Sequence, residues 1–190
     1  METTLISTNA NQQEQDTFRT ISLAALLTGI LAISAAIVKF YIDTNRAATL
    51  KLTGTGEPVS FFTYLTQGGP DHLLKYIAGG VFGTEASNGG KLMIIWGAVF
   101  HFIIAFLFTA FLFLIYPKII KWLKNKFIVA FIYGLFTWAI MNLAVVPLSK
   151  INEFPSNTGQ AIINAFILVF MIGIPASLLA DRHYSRKRTT

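Results

Sequence analysis

Four long apolar runs, each bounded by polar or basic residues, divide the chain. The clearest covers residues 92–116, LMIIWGAVFHFIIAFLFTAFLFLIY. It holds no Lys, Arg, Asp or Glu and one histidine, His101. At about 1.5 Å per residue it extends roughly 37 Å, enough to cross a hydrocarbon core of ~30 Å with some tilt. Similar runs at residues 20–42, 127–148 and 159–180 give four predicted membrane-spanning helices. In the first, Ala25, Gly29, Ala32 and Ala36 recur at helical spacing and form a stripe of small residues that another helix can approach closely. Pro117 is expected to close the second run, Pro147 lies near the outer end of the third, and Pro175 predicts a kink in the fourth.

The segments between the runs carry their own pattern. Residues 1–18 are polar and predict a mobile tail rather than a signal peptide, which needs a basic start and a shorter apolar run. Residues 43–90 form a connection too long to be expected without structure of its own. Within it, a turn is expected at residues 54–56 and a short helix or surface segment over residues 57–67. An amphipathic helix is expected near residues 71–83, with Pro70 and Asp71 at its start and Leu73, Leu74, Ile77, Val81 and Phe82 on one face. Gly79 and Gly80 weaken that helix in water, so it is expected as an interfacial or re-entrant segment resting on the bundle. The predicted fold is an all-α membrane protein: a single domain, an antiparallel four-transmembrane-helix bundle with this helical segment in its long first outer loop.

Composition agrees with that pattern. Of 190 residues, 54% are hydrophobic and 13% charged, about half the usual charged share of a soluble domain. The net charge of +6 does not point to nucleic acid, because the basic residues lie beside apolar runs. Arg19, the four lysines at residues 118–126, and Arg182, Arg186, Lys187 and Arg188 of the basic tail 181–190 are concentrated in short segments. Arg46, Lys51, Lys75, Lys91 and Lys150 are spread over the other side. The excess predicts that both termini and the loop between the second and third helices are cytoplasmic, and that the long first loop is outside. The chain has no cysteine, which excludes disulfides, thiolate chemistry and cysteine-ligated metals.

Several stretches together resemble a known family. Residues 73–90 (LLKYIAGGVFGTEASNGG) lead into residues 97–108 (GAVFHFIIAFLF). They are followed by residues 133–149 (YGLFTWAIMNLAVVPLS) and 172–184 (IGIPASLLADRHY). The pattern resembles the YagU-like family of small, uncharacterised bacterial inner-membrane proteins with four predicted helices. The resemblance implies a fold and a location, and no activity, cofactor or catalytic set. Some relatives carry an acidic residue in the first helix and a histidine in the fourth. This chain has Ala32 and Leu168 near those places, which argues against a polar pathway there.

Candidate chemistry is confined to polar groups within the apolar runs. His101 lies roughly 15 Å below the outer end of its helix. It is expected to be neutral, pointing into the bundle, and hydrogen-bonded to an amide or backbone carbonyl. Asn142 and Asn164 each lie roughly 9 Å deep on helices joined by a short turn, so they are expected to face each other and to serve as interhelical hydrogen bonds. Their functional alternative is an outward-facing polar pocket with His101 at its floor, which makes these three the candidate ligand-binding residues. Lys39 is expected to snorkel to the interface and pair with Asp43. No metal site, cofactor or catalytic residue is expected. His72 and His183 cannot reach His101 to complete a ligand set, and no nucleophile–base pair, phosphate loop or paired carboxylate is present. Three functions follow in order of preference: a non-enzymatic structural or accessory membrane component; a small transporter or ligand-binding protein using His101, Asn142 and Asn164; and a lipid-modifying enzyme at the outer interface around Asp71, His72 and Glu85. The expected partners are the lipid bilayer and a membrane-protein partner or a second copy of the chain.

Overall fold

The computed structural model describes residues 2–49, 60–155 and 157–189. Among them the regular structure is helical: α1 (Glu2–Thr49), α2 (Phe61–Thr66), α3 (Gly69–Phe82), α4 (Glu85–Asn88), α5 (Gly90–Leu123), α6 (Lys126–Ile140), α7 (Val146–Leu148), α8 (Thr158–Leu168) and α9 (Ile174–Thr189). A π-turn over Met141–Val145 joins α6 to α7, and another over Val169–Gly173 joins α8 to α9. Four helical segments are long and apolar enough to cross a membrane: Gln12–Arg46, Gly90–Leu123, Lys126–Leu148 and Thr158–Arg186. The protein is therefore an all-α multi-pass membrane protein built on a four-helix bundle. The turn expected at residues 54–56 lies outside the described residues.

The spans pack in a ring: α1 on α5, α5 on α6, α6 on α8–α9, and α8–α9 back on α1. Only Lys124 and Asn125 separate α5 from α6. Lys124 takes the left-handed conformation at φ 54°, and the Asn125 side chain accepts from the backbone N–H groups of Phe127 and Ile128 at 2.8 and 3.4 Å. So short a turn makes the two helices antiparallel neighbours. Asn157 likewise caps α8 by accepting from the Gln160 N–H at 3.0 Å.

Small residues set the close approaches. Gly29, Ala25 and Ala32 of the predicted stripe face inward. A Cβ on Gly29 would meet the Phe102 ring of α5 at 2.8 Å, and Ala25 and Ala32 are buried. Thr28 and Thr109 meet at 3.0 Å across the same interface, and the Thr28 hydroxyl also lies 2.9 Å from the Ala24 carbonyl oxygen. On the other side of the ring, Gly134 lies against the backbone of Val169 and Gly173 against the carbonyl oxygen of Ala130. The tightest core, around Leu112, Phe113, Tyr116, Val129, Ala176 and Ala180, lies towards the ends of the spans expected to be cytoplasmic.

The loop helix expected near residues 71–83 is present as α3, packed on α5 and α1. Leu73 and Ala78 are buried while Val81 is half exposed, so its buried face is narrower than the periodicity predicted. Gly97 of α5 receives the Leu74 carbonyl, which would lie 1.9 Å from a Cβ at that position. Phe82 of α3 packs on Trp96 and Phe100 of α5 with ring centroids 6.1 and 5.9 Å apart. The short segment before α3 is also helical, as α2. Its Tyr64 is buried between the Tyr41 ring and Gly69, and burial raises the phenol's pKa above its ordinary value.

Three boundaries differ from expectation. The polar segment expected to be a mobile tail is helical from Glu2 and continuous with the first span. Nucleation is the costly step of helix formation and the span supplies it, so extension into polar sequence is cheap. The hydroxyls of Thr17 and Thr20 bond back to the carbonyls of Gln13 and Asp16. The basic tail is likewise helical as part of α9, to Thr189. Pro117 does not close its helix, because α5 continues to Leu123. A proline there removes the N–H that would bond the Phe113 carbonyl four residues back. The Tyr184 hydroxyl of α9 donates to that carbonyl at 2.8 Å in its place.

Candidate functional site: a polar pocket at one end of the bundle

At the end of the bundle opposite the start of α1 and the end of α9, α1, α3, α6–α7, α8 and the turn after α7 converge on a cavity of about 370 Å³. Each element contributes through its own local geometry. On α1, Lys39 and Asp43 are one turn apart and form an ion pair, as their i,i+4 spacing predicts. Ala36, one turn earlier, leaves room beneath them. On α3, Tyr76 donates its hydroxyl to the Glu153 carboxylate at 3.1 Å. That turn is held down by the Lys150 N–H, which donates to the Gly80 carbonyl at 2.9 Å. Asn142 sits inside the first π-turn and Asn164 on the second turn of α8.

The pocket carries both signs of charge and two amides. Asn142 donates from its amide nitrogen to the Trp138 carbonyl on its own helix at 2.9 Å. Its amide oxygen bonds to no described residue. The Asn164 side chain makes no hydrogen bond to a described residue, so the pairing expected between the two asparagines is not formed. Glu153 is exposed at the mouth. The Tyr76 phenol has its pKa pushed up to about 12, chiefly by burial and then by the charge and hydrogen bond of Glu153. It therefore remains a donor throughout the neutral range. The cavity gathers one ammonium, two carboxylates, a phenol and two amides around a small volume.

Of the three residues singled out in the sequence, the structure brings Asn142 and Asn164 together and leaves His101 apart. His101 points into the bundle, as expected, but its Nε2–H donates to the carbonyl oxygen of Gly29 at 2.9 Å. Gly29 lies seven residues, roughly 10 Å, further in along α1 than Ala36. His101 does not line the pocket and is not its floor. It fastens α5 to α1 through the hydrogen bond to a backbone carbonyl expected of it. Asp71, His72 and Glu85 lie outside the pocket as well.

Tyr76 and Glu153 were not visible as a pair in the sequence because 77 positions separate them. Lys39 and Asp43 were visible as a pair, but nothing tied them to the asparagines. A second cluster was missed at the other end of the bundle. There Asp181 accepts from the Tyr116 hydroxyl at 3.1 Å and from the Lys126 ammonium at 3.2 Å, joining α9 to α5 and α6.

No family model, curated protein or solved structure matches this chain. The site is thus defined by its own geometry.

Proposed function

We propose that this is a bacterial inner-membrane protein of the YagU-like kind, with both termini cytoplasmic, that binds a small polar ligand in its outer pocket and performs no catalysis. The observation that carries the reading is the convergence of Asn142 and Asn164 with Lys39, Asp43, Tyr76 and Glu153 on one cavity. A purely structural role gives no reason for the two amides to remain unpaired with each other beside charged groups. Membrane bundles satisfy such groups between helices where they can. The test is thermal stabilisation of the purified protein by ethanolamine, glycerol phosphate and their diester. Stabilisation by at least one probe that is lost in Asn142→Leu and Asn164→Leu supports the reading. No stabilisation by any of them overturns it.

The structural or accessory role remains the second reading, and one observation favours it. A larger groove of about 830 Å³, lined almost wholly by apolar side chains including Ile21, Ile104, Leu107, Phe111, Leu114 and Phe136, runs along α5 between α1 and α6. Its shape suits a helix of a membrane-protein partner or of a second copy.

A further inference from the structure

The outer pocket shares a wall with a second cavity. Lys39 and Asp43 line both. The second cavity, about 620 Å³, is a groove between α1 and α8. Leu31, Val38, Ile163, Ile167 and Met171 line its length, and Arg46 and Gln160 stand at its outer end. Val38 and Ile163 are 43% and 49% exposed, so the groove opens to the side, where lipid chains would lie. From Leu31 to Ile42 the α1 wall rises roughly 16 Å. That matches one leaflet of the hydrocarbon core, about 15 Å. Lys39 stands in the last turn of that wall, and Asp43 and Arg46 lie just beyond Ile42.

The distribution of charge selects a headgroup. Lys39 and Arg46 border the groove and suit a phosphate diester. Asp43 and Glu153, with the amide oxygen of Asn142, border the pocket just beyond and suit a primary ammonium, which offers three N–H donors. A quaternary ammonium offers none. A headgroup with no cation would leave Glu153 with only the Tyr76 hydroxyl for a partner, while Asp43 keeps its ion pair with Lys39. We propose that the occupant is a glycerophospholipid of the outer-facing leaflet with a primary-amine headgroup, its ammonium in the pocket and one acyl chain in the α1–α8 groove. This rests on the reading of the pocket as a ligand site and names the class of ligand.

The test compares phosphatidylethanolamine, phosphatidylcholine and phosphatidylglycerol of identical chains, added to the full-length protein in detergent, with retention read by native mass spectrometry. Phosphatidylethanolamine should be retained about tenfold over either competitor, as loss of one charged hydrogen bond implies. Glu153→Gln, at an exposed turn, and Asp43→Asn should each bring that ratio near unity. Ile163→Trp, which fills the groove, should lower retention of all three lipids. A chain-free probe, glycerophosphoethanolamine, separates the two layers of the argument through its slowing of thiol labelling at Ala36→Cys, which lines the pocket and leaves its polar groups in place. If the probe protects but phosphatidylethanolamine has no advantage, or phosphatidylglycerol wins, the lipid assignment is overturned and the pocket stands. If neither the probe nor the lipid binds, both fall.

Discussion

The hydroxyl of Tyr184 donates to the backbone carbonyl of Phe113 at 2.8 Å, the acceptor that Pro117 leaves without its helical N–H. The bond explains how α5 runs through a proline, and it ties α9 to α5 at the end of the bundle expected to be cytoplasmic. The two tyrosines there, Tyr116 and Tyr184, stack with ring planes 9° apart, so Tyr184→Phe keeps the stack and removes only the donor. We expect it to destabilise the protein by about 1 kcal/mol. Pro117→Ala restores an N–H for Phe113, so the same change should cost much less in that background. A double-mutant cycle on unfolding in mixed micelles measures the difference. Equal costs in both backgrounds would refute the account of the proline.

Glycine substitutions should separate contact from propensity. Cβ atoms added at Gly134 and Gly173 would lie 2.4 and 2.3 Å from backbone atoms of Val169 and Ala130. Backbone cannot yield as a side chain can, so Gly134→Ala and Gly173→Ala should each cost about 1–3 kcal/mol. Gly79 is also helical, but its nearest neighbours are at 3.9 and 4.0 Å. Gly79→Ala should be neutral or stabilising by up to about 1 kcal/mol. Thermal-stability profiles of the three variants, read by size-exclusion chromatography, check the order.

How much of this was legible beforehand depends on sequence distance. The four spans follow from apolar runs, the Lys39–Asp43 pair from one-turn spacing, and the α1 stripe from small residues at helical intervals. Asn142 and Asn164 were recognised as neighbours because their depths could be counted from a shared short turn. His101 was assigned to the same space by depth alone. Depth does not say which neighbouring helix a side chain meets, and it meets Gly29. The continuation of α5 past Pro117 depends on Tyr184, and the outer pocket depends on Tyr76 and Glu153. In both cases the partners are distant in sequence and are brought together only by the packed bundle.

The Tyr76–Glu153 contact should be insensitive to pH over the neutral range. The folded phenol titrates near pH 12, against about 10 when unfolded. The folded state therefore holds its proton where the unfolded state loses it. The stability this contributes is fully present below pH 10 and is lost as pH rises towards 12. In a spectrophotometric phenolate titration, Tyr76→Phe should remove one tyrosine titrating near pH 12. Removal of a tyrosine titrating near pH 10 would contradict the carboxylate-bonded placement.

The proposed outward orientation of the pocket is tested most directly by thiol access. The chain has no cysteine, so Asn164→Cys and His101→Cys each place a single thiol. A small, charged, membrane-impermeant thiol reagent added to the outer face of intact cells should label Asn164→Cys to completion and leave His101→Cys unreacted, while the His101 variant still folds and inserts. Labelling of Asn164→Cys only from the cytoplasmic face, or from neither face, would contradict the pocket and its orientation together.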